Sequence, residues 1–432
     1  MSEALHISTF VADITPPVGQ PLEWAMHRPA GPICTPLLAK GVILHAVDGP
    51  CVLCAVDWLS LSNEAYELFR NGIAEAAGAD PARVAVQTVH QHTAPMEDPA
   101  VYRILHEKMP AQGGQGLDFL SASARKVASA VSGAKAHSRR VTHIGTSWAA
   151  VDRVASSRRI RQPDHTILAR ASRPEDPALH KAPEGRIDGF LRTVSFFEGD
   201  TPLVHMHYYA MHPQVNFTDG RVTYDVPGIA RERLQDETGV FQVYFTGCGG
   251  DITMGKYNDG SDESRQALAG RLYDGMVRSV QGSARTPVPT LGWRTTGITF
   301  PIRKEQAFSE ENCRETLKRK DLPFIEHFRA ATGLVLRQRV KKGGPFPASC
   351  LSLGSVRILN LPGEPFVEYQ LWAQQQYPDL FVAVAGYGDC GVYWYICTDQ
   401  AYRDVGGYEQ TDTLIGPCEQ MMKQSIASLI EE

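Results

Sequence analysis

The sequence predicts an α/β fold in which mixed β-sheets pack against helices. Short runs rich in β-branched residues alternate apolar and polar positions, which is typical of strands, and other segments repeat apolar residues at helical spacing. The two kinds of segment follow one another as hairpin, helix and strand instead of forming separate blocks. This order favours a mixed α/β architecture over an all-α or all-β one.

The predicted elements begin and end at residues that support them. A turn at Asp48-Gly49-Pro50 joins two strand-like runs into a hairpin, Gly78 follows a helix-like run, and Pro227 stands in the first turn of another helix. The predicted strands cover residues 7–15, 38–48, 51–56, 84–89, 141–149, 189–196, 202–209, 240–245, 288–300, 351–361 and 380–387. The predicted helices cover residues 62–77, 118–133, 227–238, 261–281, 365–377 and 411–430.

The composition is that of an ordinary globular chain, with 43% hydrophobic and 21% charged residues. The formal net charge is −5 and basic residues form no long run, which argues against nucleic-acid binding. The sequence has neither a basic, apolar leader nor a run of 18 apolar residues. We therefore expect a cytoplasmic protein without stable membrane insertion, whose cysteines are reduced.

We expect residues 1–432 to form one large catalytic domain without internal repeats. The charged, helix-prone segment at residues 304–345 is the candidate for an insertion or a lid. Residues 162–187 combine prolines with charges and are predicted to be a surface loop. Asp57 ends a buried strand, and we expect it to cap the helix that follows.

Two histidines stand where the strand at residues 84–89 ends. In extended backbone, residues i and i+2 lie on one face, so His90 and His92 present their rings side by side before Pro95 stops the strand. Neutral imidazole is a common zinc ligand, and such a pair forms half of a metal site. A pair of hydrogen-bonded histidines near the surface is the alternative at this point.

Further candidate groups follow later strands. His205 and His207 share one face of the strand at 202–209, and His212 comes after it. We expect hydrogen-bonded structural roles for His205 and His207, which are the substitutes if His212 is not a ligand. The glycines in Thr246-Gly-Cys-Gly-Gly-Asp-Ile-Thr253 allow the backbone to approach a ligand closely, and the missing Gly-Lys-Ser/Thr excludes a phosphate loop.

A series of short motifs occurs in order along nearly the whole chain. The motifs are Asp13-Ile-Thr, Val89-His-Gln-His-Thr-Ala-Pro, Met211-His-Pro, Gly250-Asp-Ile-Thr, Leu361-Pro-Gly-Glu-Pro-Phe, Tyr395-x-x-Thr-x-x-x-Tyr and Gly406-Gly-Tyr-Glu. In this order they resemble the catalytic domain of the neutral, non-lysosomal ceramidase family. The resemblance implies hydrolysis of an amide by attack of zinc-bound water, with a small-molecule or lipid-like N-acyl compound as substrate.

The resemblance also implies a set of site residues. The implied ligands of one zinc ion per chain are His90, His212, Glu364 and Tyr395. Two histidines and a carboxylate agree with the usual ligands of a catalytic zinc, whereas the tyrosine rests on the resemblance alone. The implied catalytic and substrate-contacting residues are His92, Tyr408, Thr253 and Arg158. Of these, His92 is expected to contact the carbonyl oxygen or the developing oxyanion.

The sequence departs from the family at two points. Thr253 stands where the family motif has serine, and the family's additional C-terminal β-sandwich and secretory signal have no counterpart here. A smaller amide is therefore as compatible with this chain as ceramide. Three alternatives stay open: an amidohydrolase barrel, a hydrolase of the same fold that acts on another amide or an ester, and a non-catalytic metal-binding relative. The barrel would place its His-x-His pair on the first strand, but here several strands precede His90.

Overall fold

The strand-like runs form three larger sheets in the computed structural model, which describes residues 4–23, 29–108, 117–215, 219–389 and 395–431. In each sheet, an antiparallel hairpin is followed along the chain by a helix and then by a strand that pairs parallel with the second strand of the hairpin. A parallel pairing needs a crossover connection, and the helix lies in that connection. The mixed α/β fold predicted from the sequence is confirmed.

The first unit contains the two-histidine strand. Its elements are β1 (His6–Asp13), β2 (Leu38–Ala46), β3 (Gly49–Val56), α1 (Glu64–Ala77) and β4 (Val84–Thr88). Gly78 ends α1 in the left-handed conformation with φ 71°, as its position in the sequence predicts. The helices α2 (Pro99–Lys108) and α3 (Leu117–Ala134) follow, and α3 packs beside α1.

The second unit repeats the same order. Its elements are β5 (His143–Ala150), β6 (Phe190–Glu198), β7 (Thr201–Tyr209), α4 (Asp225–Thr238) and β8 (Phe241–Thr246), followed by α5 (Asp262–Gln281). Strand β7 pairs parallel with β8, just as β3 pairs with β4. The long connection between β5 and β6 contains short strands at Ser156–Ser157, Arg159–Arg161 and Ile167–Ala169 and a short helix at Pro177–Lys181.

The third unit repeats this order once more, with an insertion. Its elements are β9 (Leu291–Ile298), α6 (Glu310–Thr316), α7 (Phe324–Lys341), β10 (Phe346–Leu353), β11 (Val356–Asn360), α8 (Val367–Gln376) and β12 (Phe381–Ala385). The last helix, α9 (Glu419–Ile430), begins later than the predicted residue 411. The prediction that the chain has no internal repeat is wrong for its topology.

Hydrogen bonds join the ends of the three parallel strands β4, β8 and β12. Thr88 N donates to Tyr387 O (2.9 Å), Gly386 N donates to Thr246 O (2.8 Å), and Thr246 Oγ1 donates to Val89 O (2.7 Å). The carboxyl ends of the three units therefore meet in one place. The segments that leave these strands start from this junction, and they contain most of the candidate site residues.

The segment at residues 304–345 is helical and lies between β9 and β10. Its helix α7 packs against α2 through a separate apolar cluster that includes Leu105 and Phe328. Arg339 of α7 donates to the buried Asp389 carboxylate (2.6 Å), and Arg329 forms an ion pair with Asp412. The insertion therefore contacts segments that lie beside the junction of the three units.

Buried arginines explain two departures from the sequence expectations, although residues 162–187 are mostly exposed or partly exposed as predicted. Residues 162–187 do not form a simple surface loop, since Arg170 is buried and donates to four carbonyl oxygens, among them Leu179 O (3.0 Å) and Pro183 O (2.7 Å). Asp57 does not cap α1. Its carboxylate forms a two-pronged ion pair with Arg231 of α4, with both distances at 2.9 Å.

His205 and His207 lie inside the second sheet. His205 Nδ1 is 2.7 Å from Ser195 Oγ, and His207 is 2.9 Å from both Thr193 Oγ1 and Gln242 Oε1 through its two ring nitrogens. Burial lowers the pKa of His205 to about 3 and the pKa of His207 to about 4. Both rings are therefore neutral in the folded protein under ordinary conditions.

Acid is expected to destabilise the protein through these two histidines. Below the ordinary histidine pKa of about 6.5 the unfolded chain binds protons that the folded chain excludes, so the free energy of unfolding falls as pH drops toward about 4. The loss is on the order of 1 kcal/mol per histidine per pH unit. Chemical denaturation between pH 7 and pH 5 measures it. The variant His205→Asn/His207→Gln should show a shallower decline, and an unchanged decline would contradict this account.

No helix among the described residues is both long enough and apolar enough to cross a membrane.

Candidate functional site

His90 and His92 follow the strand β4 and lie at the junction of the three units. Immediately after the strand, the backbone of His90 turns into the left-handed region with φ 71°, which is uncommon for a residue with a side chain. His90 N donates to Trp58 O (3.0 Å), and this bond fixes the turn. Strained backbone of this kind persists where the surrounding structure holds it, and it is frequent at functional sites.

Three buried histidines come together here, and each has its Nδ1 atom beside an oxygen. Nδ1 of His90 is 2.7 Å from Leu59 O, and Nδ1 of His212 is 3.3 Å from Gly249 O. A carbonyl oxygen only accepts, so both Nδ1 atoms carry the hydrogen and both Nε2 atoms present a lone pair. Nδ1 of His92 lies 2.6 Å from Glu23 Oε1.

The ligand atoms of His90, His92 and His212 all lie within 4.8 Å of one another. His92 Nε2 and His212 Nε2 are only 2.9 Å apart. Burial, the Arg158 charge and the neighbouring histidines hold the pKa of His212 well below its ordinary value, so its imidazole is neutral. Neutral imidazoles with converging lone pairs are suited to a cation between them.

Glu364 places a carboxylate beside this group. It begins a short strand that pairs parallel with Tyr395–Ile396, with Glu364 directly opposite Tyr395. Glu364 Oε2 lies 3.4 Å from His90 Nε2 and, among the described residues, has no hydrogen-bond partner although it is buried. An unpaired buried carboxylate oxygen is costly. The donor set of two or three imidazoles and one carboxylate fits a zinc ion.

Tyr395 and Tyr408 stand next to Glu364. Their ring centroids are 5.0 Å apart in an edge-to-face arrangement, and Tyr408 Oη donates to Gly250 O. Burial holds the pKa of both hydroxyls well above the ordinary tyrosine value. Both side chains are therefore phenols and not phenolates near neutral pH.

The glycine-rich loop after β8 packs directly against the Glu364 backbone. Gly250 N donates to Pro365 O (3.0 Å), and a Cβ atom at position 250 would collide with Glu364 O. Glycine is therefore required at position 250. Asp251 accepts from Val367 N (2.8 Å) and so orients this loop, and burial raises the pKa of its carboxyl to about 6.

Arg158 belongs to a polar network beside the histidines. Its Nη2 donates to Ser172 Oγ (3.0 Å) and Gln214 Oε1 (2.9 Å), and its guanidinium carbon lies 5.4 Å from the Tyr408 ring centroid. Thr253 is fully buried behind this network, where its hydroxyl donates to Ser172 Oγ (3.3 Å). The structure thus brings Arg158 and Tyr408 together. The Thr253 hydroxyl contacts Ser172, which in turn accepts a hydrogen bond from Arg158.

Three further residues in the site were missed by the sequence analysis. Tyr387 stacks on His90 with ring centroids 4.2 Å apart, and its hydroxyl is 3.5 Å from His212 Nδ1. Glu23 and Gln214 both contact His92 Nδ1, Gln214 at 3.1 Å. The sequence analysis placed Tyr387 at the end of the strand 380–387, but in the structure it stands two residues after the strand, as His90 does. Its φ of 62° repeats the turn at His90.

His205 and His207 lie apart from this group, inside the second sheet.

Comparison with known proteins supports the fold. The sequence matches no model of a known family and no curated protein. Two solved structures resemble this one: the neutral ceramidase from Pseudomonas aeruginosa, with a TM-score of 0.74, and a ceramidase complexed with C2, with a TM-score of 0.73. Each is 14% identical to this chain and matches 99% of it, over 74% and 75% of their own chains respectively. The protein therefore has the neutral ceramidase-like fold, as its motifs predicted.

Proposed function

We propose that this protein is a zinc-dependent hydrolase of N-acyl amides. The observation that carries the proposal is the group of three buried histidines, His90, His92 and His212, beside which the buried Glu364 Oε2 lies 3.4 Å from His90 Nε2. The proposed ligands of one zinc ion are His90, His212, Glu364 and Tyr395. Bound zinc would supply Lewis-acid polarisation of the amide carbonyl and a water nucleophile that is active near neutral pH.

The remaining site residues have proposed roles around the scissile amide. Water adds to the carbonyl carbon, the carbon–nitrogen bond breaks, and the products are a carboxylic acid and an amine. His92 contacts the oxyanion and passes a proton to the leaving amine. Arg158 and Tyr408 bind the substrate next to this point. Thr253 positions Arg158 through Ser172, which its buried hydroxyl contacts.

The proximity of His92 to His212 also makes His92 a possible zinc ligand. The hydrogen bond from His92 Nδ1 to Glu23 has the geometry that orients either a general acid or a ligand. These two roles predict different results for zinc content, and the Glu23 variant described below separates them.

The helical insertion at residues 304–345 is proposed to cover the substrate. Arg329 and Arg339 connect it to Asp412, four residues after Tyr408, and to Asp389, two residues after Tyr387. Movement of the insertion would therefore be transmitted to both tyrosine-bearing segments.

The proposed function is tested by zinc content together with hydrolysis by the purified wild-type protein. The substrates are a short-chain ceramide, an N-acyl amino acid and a simple ester. About one zinc per chain with amide cleavage supports the proposal. Cleavage of the ester alone would shift it to an esterase, zinc without turnover would favour a non-catalytic binding protein, and a metal-free protein would overturn it.

Glu23→Gln is expected to lower kcat by about 10- to 100-fold with little change in KM, because a neutral amide orients His92 less strongly than a carboxylate does. Zinc content should stay near that of the wild type if His92 acts on the substrate, and it should fall if His92 is a ligand. Glu23→Asp, which keeps the charge, should recover part of kcat. A wild-type kcat in Glu23→Gln would contradict the positioning role.

A further inference from the structure

Arg158 is held by its backbone on both sides, so its side chain has a fixed position in the site. Arg158 N donates to Asp251 O (2.7 Å), and Arg158 O accepts from Arg170 N (2.7 Å). The flanking pair Ser156–Ser157 is hydrogen-bonded to Ile252–Thr253. The guanidinium is therefore presented by two anchored strands and not by a free loop.

The charge of Arg158 is not matched by a carboxylate in the part of the chain that the structure describes. Its Nη2 hydrogen bonds go to neutral groups, the hydroxyl of Ser172 and the amide oxygen of Gln214. Its Nε is buried and has no hydrogen-bond partner among the described residues. Burying a cation without an opposite charge is unfavourable, so this arrangement suits an anion that arrives from outside.

The neighbouring arginines show that unpaired charge is not a general property of this segment. Arg159 binds Asp404 (2.5 Å) and also pairs with Glu409, and Arg161 binds Asp404 at 2.8 Å. Of three arginines within four residues, Arg158 is the one turned toward the site, and it is the one left without a carboxylate in the described structure.

Arg158 lies close to the scissile position. Gln214, which accepts from Arg158, is 3.1 Å from His92 Nδ1. On its other side Arg158 lies over the Tyr408 ring, which contacts the ring of Tyr395. A group that binds Arg158 is thus within a few bonds of an amide placed between His92 and Tyr395.

We propose that the substrate carries a carboxylate within a few bonds of the scissile amide, as an N-acyl amino acid does, and that Arg158 binds it. This inference rests on the proposed amide hydrolysis. It goes further because it names the charge of the substrate. A group that stabilises the oxyanion would act on every amide. An arginine without a carboxylate partner at this distance would instead select amides that carry an anionic group. Hydrolysis releases an amino acid and a fatty acid if the carboxylate is on the amine side, and a dicarboxylic acid and an amine if it is on the acyl side.

The test compares three amides that differ in the place or presence of the charge. N-dodecanoylglycine has the carboxylate on the amine side, N-dodecylsuccinamic acid has it on the acyl side, and N-dodecanoylglycinamide is neutral. The wild type should cleave one of the acids with a kcat/KM about 10- to 100-fold above that of the neutral amide, the range of a charged hydrogen bond. The preferred acid shows whether Arg158 binds a carboxylate on the amine side or on the acyl side of the amide.

Arg158→Gln should remove this preference, mainly through KM for the acid, and change the neutral amide by only a few fold. Arg158→Lys keeps the charge and should retain part of the preference. Arg161→Gln, three residues further along the chain, should retain all of it. Equal cleavage of the acids and the neutral amide by the wild type would overturn the inference, and so would equal losses for all three substrates in Arg158→Gln.

Binding separates this inference from the proposed function. The sulfonamide N-(dodecylsulfonyl)glycine and its neutral amide are not hydrolysed, and calorimetry with zinc-loaded protein measures both affinities. Tighter binding of the acid that is lost in Arg158→Gln supports the inference even if no amide is cleaved. Amide cleavage with equal affinities for the two sulfonamides would overturn the inference and leave the hydrolase assignment intact.

Discussion

If His90 holds the proposed zinc, replacing it by alanine is expected to remove the metal and to lower the proposed amide hydrolysis by about 10³-fold or more, since a catalytic metal supplies several kcal/mol of transition-state stabilisation. His90 is central to the group. Its ring lies 4.6 Å from that of His212 between centroids, and its Nε2 faces Glu364 at 3.4 Å. Elemental analysis and initial rates measure the two effects on one sample.

A histidine outside the group provides the matched control. His137 is exposed and is not one of the three clustered histidines, so His137→Ala should keep both zinc and activity. Loss of zinc without loss of fold in His90→Ala, judged by circular dichroism, separates ligation from structure. A His90→Ala protein that still contains one zinc per chain would contradict the assignment of His90 as a zinc ligand.

The sequence could predict those parts of the site that depend on local pattern. His90 and His92 follow a strand and precede a proline, so their shared position could be inferred without knowing the fold. The motifs extended this prediction to His212, Glu364 and Tyr395, although nothing local brings a residue near position 212 to one near position 90. Their proximity depends on the junction of three strand ends, which is formed by hydrogen bonds between units.

The residues that were missed are those whose partners are distant in sequence. Glu23 reaches His92 across 69 residues, and Gln214 reaches it across 122. Neither lies in a periodic segment or a recognisable turn, so no pattern marks them. Asp57 was misread for the same reason, because its position at a strand end is also that of a helix cap and its true partner is 174 residues away.

The sequence analysis did not detect the three repeated units, because each unit is defined by the order in which its strands pair and not by the identity of its residues. The same order tolerates a buried Thr88, Thr246 or Ala385 at the end of the parallel strand. What the units share is a set of largely buried strands and a crossover helix, and these features recur in many α/β proteins. The repeat explains why chemically different side chains reach one centre, since each unit contributes its strand ends.

Asp57→Ala is expected to destabilise the fold by about 3–5 kcal/mol, the usual cost of leaving one member of a buried ion pair unpaired. Arg231 is fully buried and donates to both Asp57 oxygens at 2.9 Å. Asp57 Oδ2 also accepts from Leu38 N (3.0 Å). The pair connects β3 of the first unit to α4 of the second, so its loss affects the contact between units and not one helix end.

The comparison of three variants distinguishes this explanation from simple loss of packing. Asp57→Ala leaves both Nη atoms of the buried Arg231 without a carboxylate among the described residues, and its Nε keeps the ion pair with Glu232 at 2.7 Å. The double variant Asp57→Ala/Arg231→Met removes the charge as well and should recover much of the lost stability, because an apolar replacement of a buried pair is often tolerated. Arg221→Ala, which breaks a half-exposed ion pair with Asp219, should cost about 1 kcal/mol or less. Urea denaturation at pH 7 measures all three. If the double variant were no more stable than Asp57→Ala, the cost would come from lost packing and hydrogen bonds and not from the unpaired charge.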